Sequence, residues 1–351
     1  MSFPLVVLGA GASLDFLKRN EYPDHEPDLD QYIPPLTDRL FDGTKFHEIL
    51  ARYQEMNQLV AYIRVKLRGE NLKTFETILT DLYLEKVKLD KGLYVSFMAL
   101  LYYISELFGT ITEKYYRPHN NYGALLKMLS FSGNKAVFVN FNYDLLLEKS
   151  LGKSEITTVD ELISGELPVI KIHGGYNWYW RRIVNAWGDE KKNSYQLSLN
   201  FAEGLFQSNQ DKSKWELVLP KSKTPWRMPA YGRDFMSAYS YHPSLALPIT
   251  GKNNYVCPEQ HILYLKQLLG SIDRIIIIGW KLGDPFLKDL IVEELNKRNV
   301  SIAFVGHSKA QNIVNELDEK LKTNIKLIDD KGFSNFLSSD EGERFIYDEK
   351  V

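Results

Sequence analysis

Six short apolar runs constrain this 351-residue chain more than any other feature. They are LVVL (5–8), AVFV (136–139), PVIKI (168–172), RIIIIG (274–279), SIAFVG (301–306) and NIKLI (324–328). Most are rich in Val and Ile, which suit a strand. They are apolar at nearly every position rather than at alternate ones, so both faces of each strand have to be buried. Helical stretches separate the later runs: PEQHILYLKQLLGS, DPFLKDLIVEELNKR and SKAQNIVNELDEKLK. Strand–helix–strand alternation of this kind predicts an α/β fold, a parallel sheet with helices on both faces.

The first strand is far from the second. From about 45 to 131 the chain reads as consecutive helices, with Leu72, Phe75, Ile78, Leu79 and Leu82 at helical spacing and GLYVSFMALLYYISELF apolar nearly all round. This predicts a helical subdomain inserted into a single domain that covers 1–351. Residues 181–250, rich in Trp, Lys and Ser, show weak periodicity and are expected to form an irregular or short-stranded insertion within the core. The polar C-terminus, SSDEGERFIYDEKV, is expected to be loosely ordered.

Composition narrows the function classes. With 43 basic and 45 acidic side chains, nothing global suggests direct nucleic-acid binding or an anionic membrane. The apolar runs are read as too short for a membrane span, which needs about 20 residues. The N-terminus, MSFPLVVLGAGAS, enters a glycine turn rather than a cleavage site, so the expectation is a cytoplasmic protein. The single cysteine, Cys257, excludes a multi-cysteine zinc site, and no metal is expected.

Chemistry-bearing residues gather where strands end. Gly9-Ala10-Gly11-Ala12-Ser13 follows the first strand, as a loop able to approach a pyrophosphate would. The third glycine of a dinucleotide fingerprint would fall at Leu14. Asn140-Phe141-Asn142-Tyr143-Asp144 follows AVFV, His173-Gly174-Gly175 follows PVIKI, Gly279 to Asp284 follows RIIII, and Gly306-His307 follows SIAFV. Each of these also reads as an ordinary turn: Asn142, Asp144 or Asp284 would cap a helix and the glycines would turn the chain. In a parallel sheet, however, all of them fall on one edge, where ligands bind.

In their order along the chain, Gly9 to Ser13, Asn140 to Asp144, Lys171-Ile172-His173-Gly174 and Gly279 to Asp284 resemble the motifs of the Sir2-like family. The resemblance is strongest to its bacterial antiphage-defence branch, whose patterns are GAGAS, T-x-N-Y-D, (L/I)-H-G and G-x-S-x-x-D. Phe75-Glu76-Thr77-Ile78-Leu79 in the helical block is also similar to that branch. Two departures stand out: Asn140 occupies a common Thr position, and Lys281 a common Ser position. The small zinc module of sirtuin deacylases, with its two cysteine pairs, has no counterpart.

The resemblance implies a Rossmann-like sheet and an enzyme that takes NAD+ as substrate and breaks its nicotinamide–ribose bond. The pyridinium leaves as neutral nicotinamide, so no general acid is needed, and the sugar passes through an oxocarbenium-like state. Asn142 and His173 are the implied catalytic residues: Asn142 orients a water, and His173 contacts a ribose hydroxyl or takes a proton. Asp144 would read the nicotinamide carboxamide, and Gly9, Ala10, Gly11, Ala12 and Ser13 would hold the pyrophosphate. Gly279, Lys281, Gly306 and His307 would line the adenosine half, and Asp284 would also belong to the NAD+-binding set. With water as acceptor the chain is an NAD+ hydrolase (NADase), an effector of abortive infection controlled by a partner defence protein or by homo-oligomerisation. The alternatives are a sirtuin-type deacylase or ADP-ribosyltransferase and a non-catalytic NAD- or ADP-ribose-binding subunit.

Overall fold

The computed structural model describes residues 3–18, 29–68, 73–86, 90, 92–131, 135–185, 193–200, 202, 215–220, 237–249, 256–307, 310–315, 317 and 319–347. Among them lie nine strands: β1 (Phe3–Leu8), β2 (Val137–Asn140), β3 (Val169–Lys171), β4 (Tyr179–Asn185), β5 (Glu216–Val218), β6 (Ser237–Pro243), β7 (Ile272–Ile278), β8 (Ser301–Val305) and β9 (Ile325–Asp329). The helices are α1 (Ala10–Leu14), α2 (His47–Leu50), α3 (Asn57–Arg68), α4 (Phe75–Asp81), α5 (Gly92–Tyr115), α6 (Asn121–Phe131), α7 (Leu146–Ser150), α8 (Ser194–Asn200), α9 (Glu259–Leu269), α10 (Pro285–Lys297), α11 (Ala310–Asn315), α12 (Glu319–Asn324), α13 (Phe333–Ser338) and α14 (Asp340–Tyr347).

Six strands form one sheet in the order β3-β2-β1-β7-β8-β9. Every pairing in it is parallel. This is the Rossmann-like, doubly wound order: from β1 the chain builds outward on one side, then returns to build outward on the other. The order reverses between β1 and β7. Register brings the carboxyl ends level, with Leu8 opposite both Asn140 and Ile278, Asn140 opposite Lys171, and Ile278 opposite Val305. Ile172, Phe141, Gly9, Gly279 and Gly306 therefore follow one another along a single edge.

Five of the six strands are buried on both faces, by two separate sets of helices, whereas β9 at the sheet edge is only partly covered and leaves Lys326 exposed. Leu5, Val7, Val137, Val139, Ile275 and Ile277 pack against Leu265, Leu287 and Ile291 of α9 and α10. Val6, Leu8, Phe138 and Ile276 face the helical segment between β1 and β2 and, in the same cluster, Phe333 and Phe345 near the C-terminus. Helix α5 is long and apolar enough to cross a membrane by length and composition, and 83% of its most apolar window is buried inside the protein. Within the C-terminal stretch, residues 340–347 form a packed helix despite their polarity: α14 buries Phe345 and Ile346, and Arg274 donates a 2.8 Å hydrogen bond to the Ile346 carbonyl.

The described parts of 181–250 are short-stranded rather than irregular. They contain α8 and a three-stranded antiparallel sheet, β5-β4-β6, with Tyr179 opposite Pro243 and Asn185 opposite Ser237. The apolar/polar alternation of YWRRIVN is hidden because its arginines lie on aromatic rings. Arg181 sits 4.9 Å from the Tyr239 centroid and Arg182 5.3 Å from that of Trp215.

Candidate active site

The site begins where β1 and β7 diverge. Gly9, Gly11 and Gly279 pack backbone against backbone. A Cβ on Gly9 would lie 2.5 Å from the Gly279 carbonyl oxygen, one on Gly11 2.7 Å from the Gly279 Cα, and one on Gly279 2.3 Å from the Ala12 nitrogen. Gly279 also has φ +62°, a conformation that suits glycine. The Gly11 amide donates to the Gly279 carbonyl at 3.1 Å and the Ala12 amide to the Gly9 carbonyl at 2.9 Å. Much of the glycine pattern thus serves close packing of the two loops at the switch point. Ala10 opens the five-residue helix α1, in which Ala12 and Ser13 are buried.

Beside this loop lies the turn after β2, which is almost wholly buried despite its polarity: Asn140, Asn142 and Asp144 are 1%, 6% and 1% exposed. Asn140 accepts the Asn142 amide at 3.0 Å, a local bond that closes the turn, and its own amide lies 3.4 Å from Glu148. The Asn142 Nδ2 donates to the Gly9 carbonyl and to Ser13 Oγ, each at 3.0 Å. Because a carbonyl only accepts, these bonds fix the amide's orientation, and Oδ1 is left as the end with acceptor capacity. Asp144 Oδ1 accepts the Leu146 amide at 3.1 Å, while its buried Oδ2 has no hydrogen-bond partner. Burial raises the Asp144 carboxyl above its usual range, against the opposing pull of Lys171.

Three side chains that motif reasoning gave no role complete this half of the site. Tyr122, from α6, places its hydroxyl 3.0 Å from Ser13 Oγ and 3.5 Å from Asn142 Nδ2. Lys171, fully buried, donates to the Asn142 and Asp144 carbonyls at 2.7 Å and pairs with Glu148 at 2.9 Å. Tyr122 left no local signal. The ionic pair left a weak one: a lysine within PVIKI and a glutamate within LLLEKS, both charged residues in apolar runs.

The other half of the site is a pair. His173 Nε2 lies 3.3 Å from Asp284 Oδ2. Asp284 Oδ1 caps α10 by accepting the Leu287 amide at 2.9 Å. Burial acts to raise the Asp284 carboxyl, but the His173 and backbone hydrogen bonds outweigh it and hold it below the usual range. The imidazole rests edge-on against Phe141 at 4.9 Å, and Phe141 stacks on Trp280 at 4.8 Å. Asp284, expected among the NAD+-binding residues, stands with His173. Lys281 is exposed. Gly306 and the exposed His307 end β8 across the switch point, beside Gly332 and Asp15, where a Gly332 Cβ would meet His307 Cε1 at 2.5 Å. Among the described residues no group of three or more His, Cys, Asp or Glu side chains could hold a metal ion.

The chain matches no family model and no curated protein. Solved structures similar to it are Sir2 homologues. One is a triple-substituted Sir2 homologue in complex with 2′-O-acetyl ADP-ribose: 12% identity over 100% of this chain and 94% of the other, TM-score 0.47. A second is a Sir2 homologue–NAD complex, at 13% identity over 99% and 89% of the two chains and TM-score 0.43.

Proposed function

We propose that this chain is a Sir2-like NAD+ hydrolase that cleaves the nicotinamide–ribose bond with water as acceptor. The observation that carries the reading is the Asn142 amide. Its nitrogen is held by Gly9 and Ser13 at the switch point, which leaves Oδ1 to accept from a water or a ribose hydroxyl. An amide oxygen so fixed can orient the water and favour positive charge growing on the sugar without reorganising. His173, held by the Asp284 carboxylate, is placed to take the water's proton or to bind a ribose hydroxyl. Asp144 Oδ2, buried and unpartnered, suits the nicotinamide carboxamide, whose NH2 group it can accept from. The Gly9–Ser13 loop would meet the pyrophosphate, and Lys281, Gly306 and His307 the adenosine half.

Incubation with NAD+ alone is the direct test. Nicotinamide and ADP-ribose are expected in equal amounts, and Asn142→Ala is expected to slow release about 100-fold or more. Release that needs an acylated peptide would replace this reading with a deacylase. Unchanged turnover in Asn142→Ala would remove Asn142 from the chemistry. The motif order supports a biological role in cytoplasmic antiphage defence by NAD+ depletion, with a partner defence protein or self-assembly as the control. Cells carrying the parent are expected to lose NAD+ on phage challenge, and cells carrying Asn142→Ala to keep it.

A further inference from the structure

We propose that the buried Lys171–Glu148 pair is a positioning device for the Asn142 amide and thereby sets the rate of bond cleavage; the rate part of this rests on the function proposed above. Lys171 lies at the end of β3, level with Asn140, and none of its side chain is exposed. At Asn140 the chain leaves the sheet, so the carbonyls that follow have no ladder partner. Two of them, those of Asn142 and Asp144, converge on Lys171 Nζ at 2.7 Å each, and Glu148 Oε1 completes the set at 2.9 Å. An ammonium has three donors, and here all three are used. Lys171 therefore has none to offer a substrate: it is a positioning residue rather than a catalytic one.

The consequence for Asn142 is restraint on every side. Lys171 holds its carbonyl, Asn140 its amide, and Gly9 and Ser13 its side-chain nitrogen. Glu148 lies on α7, just beyond the turn, so the ion pair ties the β2–α7 connection to β3 and, two residues on, to His173. Of the two glycines after His173, Gly175 fits the same device. A Cβ on Gly175 would press on Lys171 Cε at 2.9 Å, and one on Gly174 would lie 2.3 Å from the Ser244 carbonyl oxygen. Gly175 leaves room for the lysine stem. A planar guanidinium does not suit three acceptors that converge on one atom, so arginine is not an equivalent.

The test uses Lys171→Met/Glu148→Leu, which removes both charges and leaves neither buried alone. Gly175→Ala is the second variant, because it crowds the lysine stem while keeping the pair. Amide hydrogen exchange over residues 140–147, binding of ADP-ribose, and kcat and KM for nicotinamide release are measured for each. In the double variant, exchange over 140–147 is expected to rise at least about tenfold while the other main-sheet strands keep their protection. Its kcat is expected to fall about 100-fold, with ADP-ribose affinity and KM within about twofold. Gly175→Ala is expected to move exchange and kcat in the same directions by less, and it decides the matter if the double variant does not fold. A folded variant with exchange and kcat like the parent's overturns the proposal. So does loss of protection across the whole sheet together with loss of ADP-ribose affinity, the pattern of a merely structural pair. If the parent itself releases no nicotinamide, the proposed function fails and the rate part falls with it, while local exchange still decides whether the pair orders the turn.

Discussion

Asn140 and Asn142 stand two positions apart and differ in what they bond. The oxygen of Asn140 is spent on its own turn, whereas Asn142 spends its nitrogen on the glycine loop and keeps its oxygen. The Asn at the usual Thr position thus has a structural use. The glycines of the site divide in a similar way, and Gly279 is the most constrained of them. Its positive φ and the 2.3 Å approach a Cβ would make to the Ala12 nitrogen leave no relaxed place for a side chain. Gly279→Ala is expected to destabilise the protein by about 3 kcal/mol or more, read from chemical denaturation. Substrate affinity should fall with it, because the Gly9–Ser13 loop packs against that backbone.

Among elements, the antiparallel sheet carries a buried polar network away from the candidate site. His242 on β6 has Ser198 Oγ 2.6 Å from Nδ1 and Ser240 Oγ 3.2 Å from Nε2, and Tyr102 of α5 reaches Ser198 at 2.6 Å. Burial, reinforced by Arg182, lowers the His242 pKa from 6.5 to about 3. The unfolded chain therefore binds a proton at a higher pH than the folded one. The stability this neutral ring contributes is complete above pH 6.5 and drains away as pH falls toward 3. Thermal unfolding followed across that range is expected to show a shallower loss in His242→Gln than in the parent. This sheet was poorly legible in the sequence, since its arginines lie over rings and interrupt the alternation that marks a strand. The parallel strands β1, β2, β3, β7 and β8 were legible because burial on both faces writes itself into nearly every position.

At the scale of the molecule, the helical segment between β1 and β2 is a layer of the fold rather than an appendage. Its Leu79, Leu100, Tyr103 and Leu125 share one buried cluster with Val6, Leu8 and Phe138 of the sheet. Replacing 45–131 by a short linker is expected to yield an aggregating or molten chain that binds apolar dyes, rather than a smaller folded core. The same layer supplies Tyr122 to the site, which ties the insertion to the proposed chemistry.

The sequence by itself determined the class of sheet, the interruption after its first strand, and the polar and glycine residues awaiting at each strand end. Those features are local, because strand burial and turn chemistry act on neighbouring residues. The tertiary structure alone decided which of them meet. Asp284 joins His173 across 111 positions, Asn142 joins Gly9 across 133, and Lys171 is secured by a turn 27 to 29 residues before it. Contacts at such separations leave no periodic trace in a sequence. They follow from strand order and register, which level the carboxyl ends of β1, β2 and β7 and so bring remote turns within hydrogen-bonding distance.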